Sequence, residues 1–238
     1  MKTKHLISIL YCLLVFACQT NEVERGMEEV PSKEPQKILN AAFLIMDGVY
    51  NTELTAPMDI LQHSKYRHEH YIDVFTVAEQ RDTVISFEGL KIIPDYTFSD
   101  HPSIDMLIVP SAEHHLDSDL ENELMINWVK EIDKDAEWMM SLCDGAFVLA
   151  KAGLLEGVNC TTFPSDIDQL QRDFPKLIAH KDVLFVHEGK YITSVGGARS
   201  FEPALYLHHL LYGDSLTKKT AGGLVLDWDI QSLNYIRF

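Results

Sequence analysis

"SLCDGAF", residues 141–147, sets a cysteine between two runs of different character. Just upstream, "EWMM" (137–140) reads as strand; just downstream, "FVLAKAGLL" (147–155) has the spacing of a helix. The stretch therefore predicts a strand, a tight turn carrying Cys143, and a helix. A thiol at such a junction is either a packing residue, as buried cysteines commonly are, or a working atom.

Strand and helix alternate on both sides of this unit. "ILNAAFLIM" (38–46) is a continuous apolar run, as expected of a strand covered on both faces. "YIDVFTVA" (71–78) and "IDMLIVP" (104–110) read as strands, and "TVIS" (83–86) with "LKIIPDYTF" (90–98) as further extended, antiparallel pieces. "TAPMDILQHS" (55–64), "DLENELMINWVKEID" (119–133) and "FEPALYLHHLLYG" (201–213) read as helices, and "VLFVHEG" (183–189) with "YITSVG" (191–196) as a hairpin-like pair. The tail "TAGGLVLDWDIQSLNYIRF" reads as an appended element packing Leu, Trp and Tyr on the body or on a second subunit. Alternation of this kind predicts an α/β sandwich with a mostly parallel central sheet. Ligands of such sheets sit off the carboxyl ends of the strands, where Cys143 is expected.

A turn there would expose the sulfur. The free N–H groups of the following helix favour negative charge, so the thiol is expected to ionise more readily than usual, and the same donors suit a developing oxyanion. Gly145 and Ala146 keep the turn uncrowded. Asp144 either opposes thiolate formation or turns away to cap the helix.

Composition limits the function. The chain has 238 residues, 46% hydrophobic and 24% charged, with a net charge of −16. That suits a globular domain with a sizeable core and argues against nucleic acid as a partner, since phosphates need Lys and Arg to meet them. Residues 1–17 have a basic start (Lys2, Lys4) and an apolar run too short to span a bilayer, the pattern of a secretion signal. "VFAC" resembles the lipobox of bacterial lipoproteins, which implies cleavage before Cys18 and lipid on it. The expectation is an exported protein, in the outer membrane or on the periplasmic side of the envelope, meeting membrane only through that anchor. Residues 18–36 read as a polar, acidic tether, and 37–238 as the folded domain. Cys143 and Cys160 then remain, and a strand-end thiol and one beyond the next helix are not expected to bridge. The histidine clusters "HEH" (68–70), "HH" (114–115) and "HH" (208–209) lack the spacing of a zinc site, and no Walker or GxGxxG pattern occurs, so no metal or cofactor is expected. His208 and His209 read as surface or packing residues.

Four segments together resemble the DJ-1/PfpI superfamily, in particular its class-I glutamine-amidotransferase-like branch with isonitrile hydratases and the sensor domains of AraC-type regulators. They are "AAFLIMDGVYNTELTAPMDIL" (41–61), "IDMLIVPSAEHH" (104–115), "SLCDGAFVLAKAGLLEGVNCTTFP" (141–164) and "YITSVGGARSFEPALYLHHLL" (191–211). The resemblance spans about residues 37–212 and implies a flavodoxin-like three-layer sandwich. It makes Cys143 the nucleophile and Glu53 the acidic residue that contacts its sulfur. Ser111 and Ala112 stand where relatives have Gly-Gly and, with Asp144 and Gly145, are candidates for the oxyanion pocket. Glu113, His114 and Arg199 are candidates for substrate binding. Phe163 stands where many relatives have His, which puts chemistry that needs a Cys–His pair in doubt. The implied function is a cofactor-independent cysteine hydratase or hydrolase acting on a small electrophile. The alternative is a small-molecule-binding or redox-sensing module without turnover. The resemblance also allows a homodimer.

Overall fold

The structure, a computed structural model, describes residues 34–238; the expected signal segment, Cys18 and the tether up to residue 33 lie outside them. The chain runs β1 (Leu39–Leu44), α1 (Asn51–Gln62), β2 (Ile72–Ala78), β3 (Val84–Ile85), β4 (Lys91–Ile92), β5 (Tyr96–Thr97), β6 (Met106–Val109), α2 (Glu123–Asp135), β7 (Trp138–Leu142) and α3 (Gly145–Lys151). It continues through β8 (Asn159–Cys160), α4 (Ile167–Asp173), β9 (Ile178–Ala179), β10 (Phe185–Glu188), β11 (Tyr191–Ser194), α5 (Phe201–Gly223) and β12 (Tyr235–Arg237).

Eight strands form one sheet in the order β12-β10-β11-β7-β6-β1-β2-β5, parallel throughout except for the antiparallel β10–β11 pair. The apolar runs are continuous because both faces are covered. Side chains alternate across the sheet, so Ala41 and Phe43 of β1 and Met106 and Ile108 of β6 pack with Leu54 and Leu61 of α1 and Tyr206, Leu207 and Leu210 of α5. Their neighbours Ala42, Leu44, Leu107 and Val109 pack with Met125, Trp128 and Val129 of α2 and Phe147 of α3 on the other side. This is the expected α/β sandwich of three layers.

Local chemistry sets the element ends. Asn122 accepts from the Met125 amide at 3.1 Å and caps α2. The first amide of α1, that of Asn51, donates to the Glu88 carboxylate at 3.0 Å, an acid placed at the positive end of the helix by the β3–β4 hairpin. That hairpin is antiparallel as expected, whereas β5 pairs parallel with the end of β2. Asp95, just before β5, accepts from both the amide and the hydroxyl of Thr76 on β2 and pins the segment there.

Helix α5 does not stop at Gly213 as its sequence suggests. The chain turns at that glycine (φ 79°, ψ 171°) and resumes as helix to Gly223. His208 braces the bend through Nδ1 and the Thr217 hydroxyl, 2.8 Å apart; it and His209 are buried, packing residues rather than surface ones. The tail packs on the body, with Trp228 and Tyr235 buried and β12 joining β10. Cys143 and Cys160 are both free and buried, without the bridge the sequence also argued against.

Candidate active site

Four loops leaving the carboxyl ends of β1, β6, β7 and β11 meet at Cys143. Its backbone lies in the left-handed region (φ 51°), which a side-chain-bearing residue occupies at a cost of about 1–2 kcal/mol. The turn is held from two sides. The Cys143 amide donates to the Ser194 carbonyl of β11 at 3.0 Å, and the Cys143 carbonyl accepts from the Thr162 hydroxyl at 2.9 Å. Two glycines make the room. A Cβ on Gly145 would stand 2.0 Å from the Val109 carbonyl oxygen, so α3 could not start so close to β6. A Cβ on Gly196 (φ 72°) would stand 2.4 Å from Cys143 Cβ and 2.7 Å from Glu53 Oε1.

Glu53 enters from the first turn of α1 and is 4% exposed. Both of its oxygens accept backbone amides, Oε2 from Ser111 at 2.9 Å and Oε1 from Gly197 at 2.8 Å. Burial raises its carboxyl above the usual range, while these two amides and the Cys143 side chain favour the charged form. On the other side of the sulfur, Asp144 Oδ2 lies 3.6 Å from Cys143 Sγ, and its Oδ1 accepts from the Thr162 hydroxyl at 3.1 Å. Asp144 occupies the N-cap position of α3, yet its side chain makes no capping bond. Burial first, then the nearby Asp166 carboxylate, pushes it up to about 6.

The thiol itself departs from expectation. Burial, then the charges of Glu53 and Asp144, push it far above its usual range, so the resting group is a neutral thiol. The Asp144 amide and the Ser111 hydroxyl lean the other way but are outweighed. The helix-start donors expected to lower it are too few: α3 has seven residues, and its Ala146 and Phe147 amides are taken by the Cys143 and Asp144 carbonyls.

The structure thus brings Cys143, Glu53, Ser111, Ala112, Asp144 and Gly145 together. The expected oxyanion donors are partly committed: the Ser111 amide holds Glu53, and the Ala112 amide donates to Nδ1 of the buried His115 at 3.2 Å. Glu113 and His114 are exposed, with His114 Nδ1 3.3 Å from Asp117. Arg199 is half exposed, pairs with Glu202 at 3.0 Å, and lines a cleft of about 530 Å³ that shares Thr162 with the site. Phe163 is 42% exposed.

Sequence reasoning missed Thr162, Gly196, Gly197 and Tyr50. Tyr50 joins the site through its backbone, its amide donating to the Ser111 carbonyl at 3.1 Å, and its hydroxyl is raised by burial first and then by the neighbouring acidic groups. "TTFP" and the "GG" doublet were the available signals.

Comparison with known proteins follows the same lines. The sequence model of the DJ-1/PfpI family matches residues 39–207. An isonitrile hydratase from Pseudomonas putida is 30% identical over 177 residues, covering 74% of this chain and 73% of that protein. The HTH-type transcriptional regulator CdhR of Pseudomonas aeruginosa is 24% identical, covering 77% of this chain and 54% of the regulator; the chain thus spans about half the length of that relative. Among solved structures, a THiJ/PfpI family protein from Pseudomonas syringae superposes with a TM-score of 0.72 over 87% of this chain and 84% of that one, at 22% identity.

Proposed function

The chain belongs to the DJ-1/PfpI family, and on that footing we propose that it is a cysteine-dependent enzyme of the hydratase or hydrolase type whose nucleophile, Cys143, attacks a small electrophile such as an isonitrile. The observation that carries this is the sulfur itself: a thiol on a strained turn at a strand end, with a carboxyl on either side. A packing cysteine needs neither the strain nor the two acids. The 30% identity to an isonitrile hydratase supports the choice of substrate class.

For an isonitrile, the sulfur adds to the terminal carbon. A carbon–sulfur bond forms, and the thiol proton ends on that carbon by way of a carboxyl. Water then adds to the same carbon. One of its protons goes to nitrogen, the carbon–sulfur bond breaks, and the other returns to sulfur, leaving an N-substituted formamide. Glu53, fixed by two amides, keeps its carboxyl beside the sulfur throughout.

Incubating the full chain with a small alkyl isonitrile and following the formyl proton by NMR tests this. Formamide should accumulate with the native chain and fall to background with Cys143→Ala. A second reading, a binding or redox-sensing module without turnover, is favoured by the neutral resting thiol and by Phe163 in place of a histidine. It expects ligand-dependent protection of Cys143 without formamide.

A further inference from the structure

A neutral buried thiol reacts only if its proton leaves as the new bond forms, so the group receiving that proton belongs to the mechanism. Two carboxyls flank Cys143, and their surroundings differ. Glu53 has an amide on each oxygen, and both bonds favour its charged form. A proton arriving there would weaken both. Asp144 has a single hydroxyl partner, Thr162, on Oδ1; its other oxygen, Oδ2, faces the sulfur at 3.6 Å and accepts from the thiol. It spends nothing on capping α3, although it stands at the cap position.

We propose that Asp144 is a second catalytic residue, which takes the Cys143 proton as the carbon–sulfur bond forms and gives the sulfur a proton drawn from water as that bond breaks. The proposal rests on the function assigned above and names its acid–base partner. In the forward step the S–H bond breaks, the proton passes to Oδ2, and the sulfur electron pair makes the bond to carbon; Asp144 then protonates that carbon. In the second half it takes a proton from the attacking water and hands it to the departing sulfur. The charged and titratable groups around Asp144 are Glu53 from α1, the Cys143 thiol, Asp166 ahead of α4 and the Tyr50 hydroxyl. Burial first and then the acids raise its affinity for a proton, Thr162 and the thiol lower it, and the balance near 6 suits exchange close to neutral pH.

Alkylation of Cys143 by iodoacetamide reads the proton acceptor without any natural substrate. There the carbon–sulfur bond forms, the carbon–iodine bond breaks, iodide leaves and the proton goes to Asp144. In the full native chain the rate should rise with pH through about 6, as the carboxyl ionises, before the later rise of the thiol itself. Asp144→Asn should remove that inflection and slow alkylation at pH 7.5 on the order of 10²-fold. A merely electrostatic or structural Asp144 gives the opposite sign, because removing its charge makes the thiol easier to ionise. Alkylation that is as fast or faster in Asp144→Asn, or an inflection that persists in it, overturns the proposal.

Thr162→Val keeps the carboxyl but removes the bond that holds its charge, so the inflection should move to higher pH; an inflection that does not move overturns the assignment to Asp144. The fully buried Cys160 stays unmodified in any variant that has folded. Failure of the native chain to form formamide with the Asp144 dependence intact removes the proposed activity alone. Formamide formation with alkylation indifferent to Asp144 removes this inference alone.

Discussion

At Cys143, desolvation wins over the helix start: one backbone amide, that of Asp144, and the Ser111 hydroxyl do not offset the removal of a sulfur anion from water with carboxylates on both sides. The same balance makes Asp144 a measurable stability term. Its affinity for a proton is raised from the usual 3.8 to about 6 in the folded chain, so between these values the folded state binds more protons than the unfolded one. Stability must therefore fall as pH rises through that window, by up to about 3 kcal/mol at 1.36 kcal/mol per unit. Comparing urea unfolding of the native chain with Asp144→Asn at pH 4 and pH 7 should show the native chain losing ground by about that amount; an unchanged difference would place the carboxyl in water. Gly196 sets a second test. A methyl there would meet Cys143 Cβ and Glu53 Oε1 in a backbone region that already disfavours side chains. Gly196→Ala should destabilise the chain by at least about 1–3 kcal/mol and make Cys143 alkylation differ from native, read by a urea midpoint and mass spectrometry together.

Among the elements, the β7–turn–α3 unit was legible because its signals are local: an apolar run, then Gly145, then helical spacing. Elements of two or three residues, such as β8, β9 and β12, show no period, and their pairing comes from distant chain. Gly213 read as a helix stop and is one only locally, since His208 and Thr217 restart the helix beyond it. The same limit governs the site. Cys143 stood out at its strand–helix junction and Glu53 through sequence resemblance, but Thr162 beyond β8 and the Gly196–Gly197 pair beyond β11 reach Cys143, Asp144 and Glu53 only in the folded chain. Their residue types carry no chemistry until then. The β3–β4 hairpin offers a test at this scale: Glu88 supplies the cap that α1 lacks from its own Tyr50. Glu88→Ala should lower stability by about 1 kcal/mol, seen as a lower urea midpoint. No change would mean that water replaces the carboxylate without loss.

For the whole molecule, three buried neutral histidines oppose the Asp144 term. Burial lowers His115 to about 3 and His187 and His208 to about 4. Their folded affinities lie below the unfolded 6.5, so the stability they contribute is present above 6.5 and is lost as pH falls toward those values. His187 and His208 are worth roughly 3 kcal/mol each and His115 roughly 5, so together they outweigh Asp144, and the chain as a whole should weaken on acidification. The urea midpoint should fall steadily from pH 7 to pH 4.5; a flat profile would mean that the histidines reach water. At the sheet edge, Trp228 is 5% exposed and anchors the segment that returns to pair β12 with β10. Trp228→Ala should cost about 3–5 kcal/mol, measured the same way, and far less if the tail is only loosely laid on the body.

The most direct test of a nucleophilic Cys143 is to quench a reaction of the full chain with a small alkyl isonitrile in acid within its first turnovers and map the mass of each cysteine-bearing peptide. The expected result is a transient adduct of the isonitrile's mass on the peptide carrying Cys143, absent from the one carrying Cys160, that decays as formamide appears. Formamide formed without any adduct on Cys143, or with the adduct on Cys160, would contradict it.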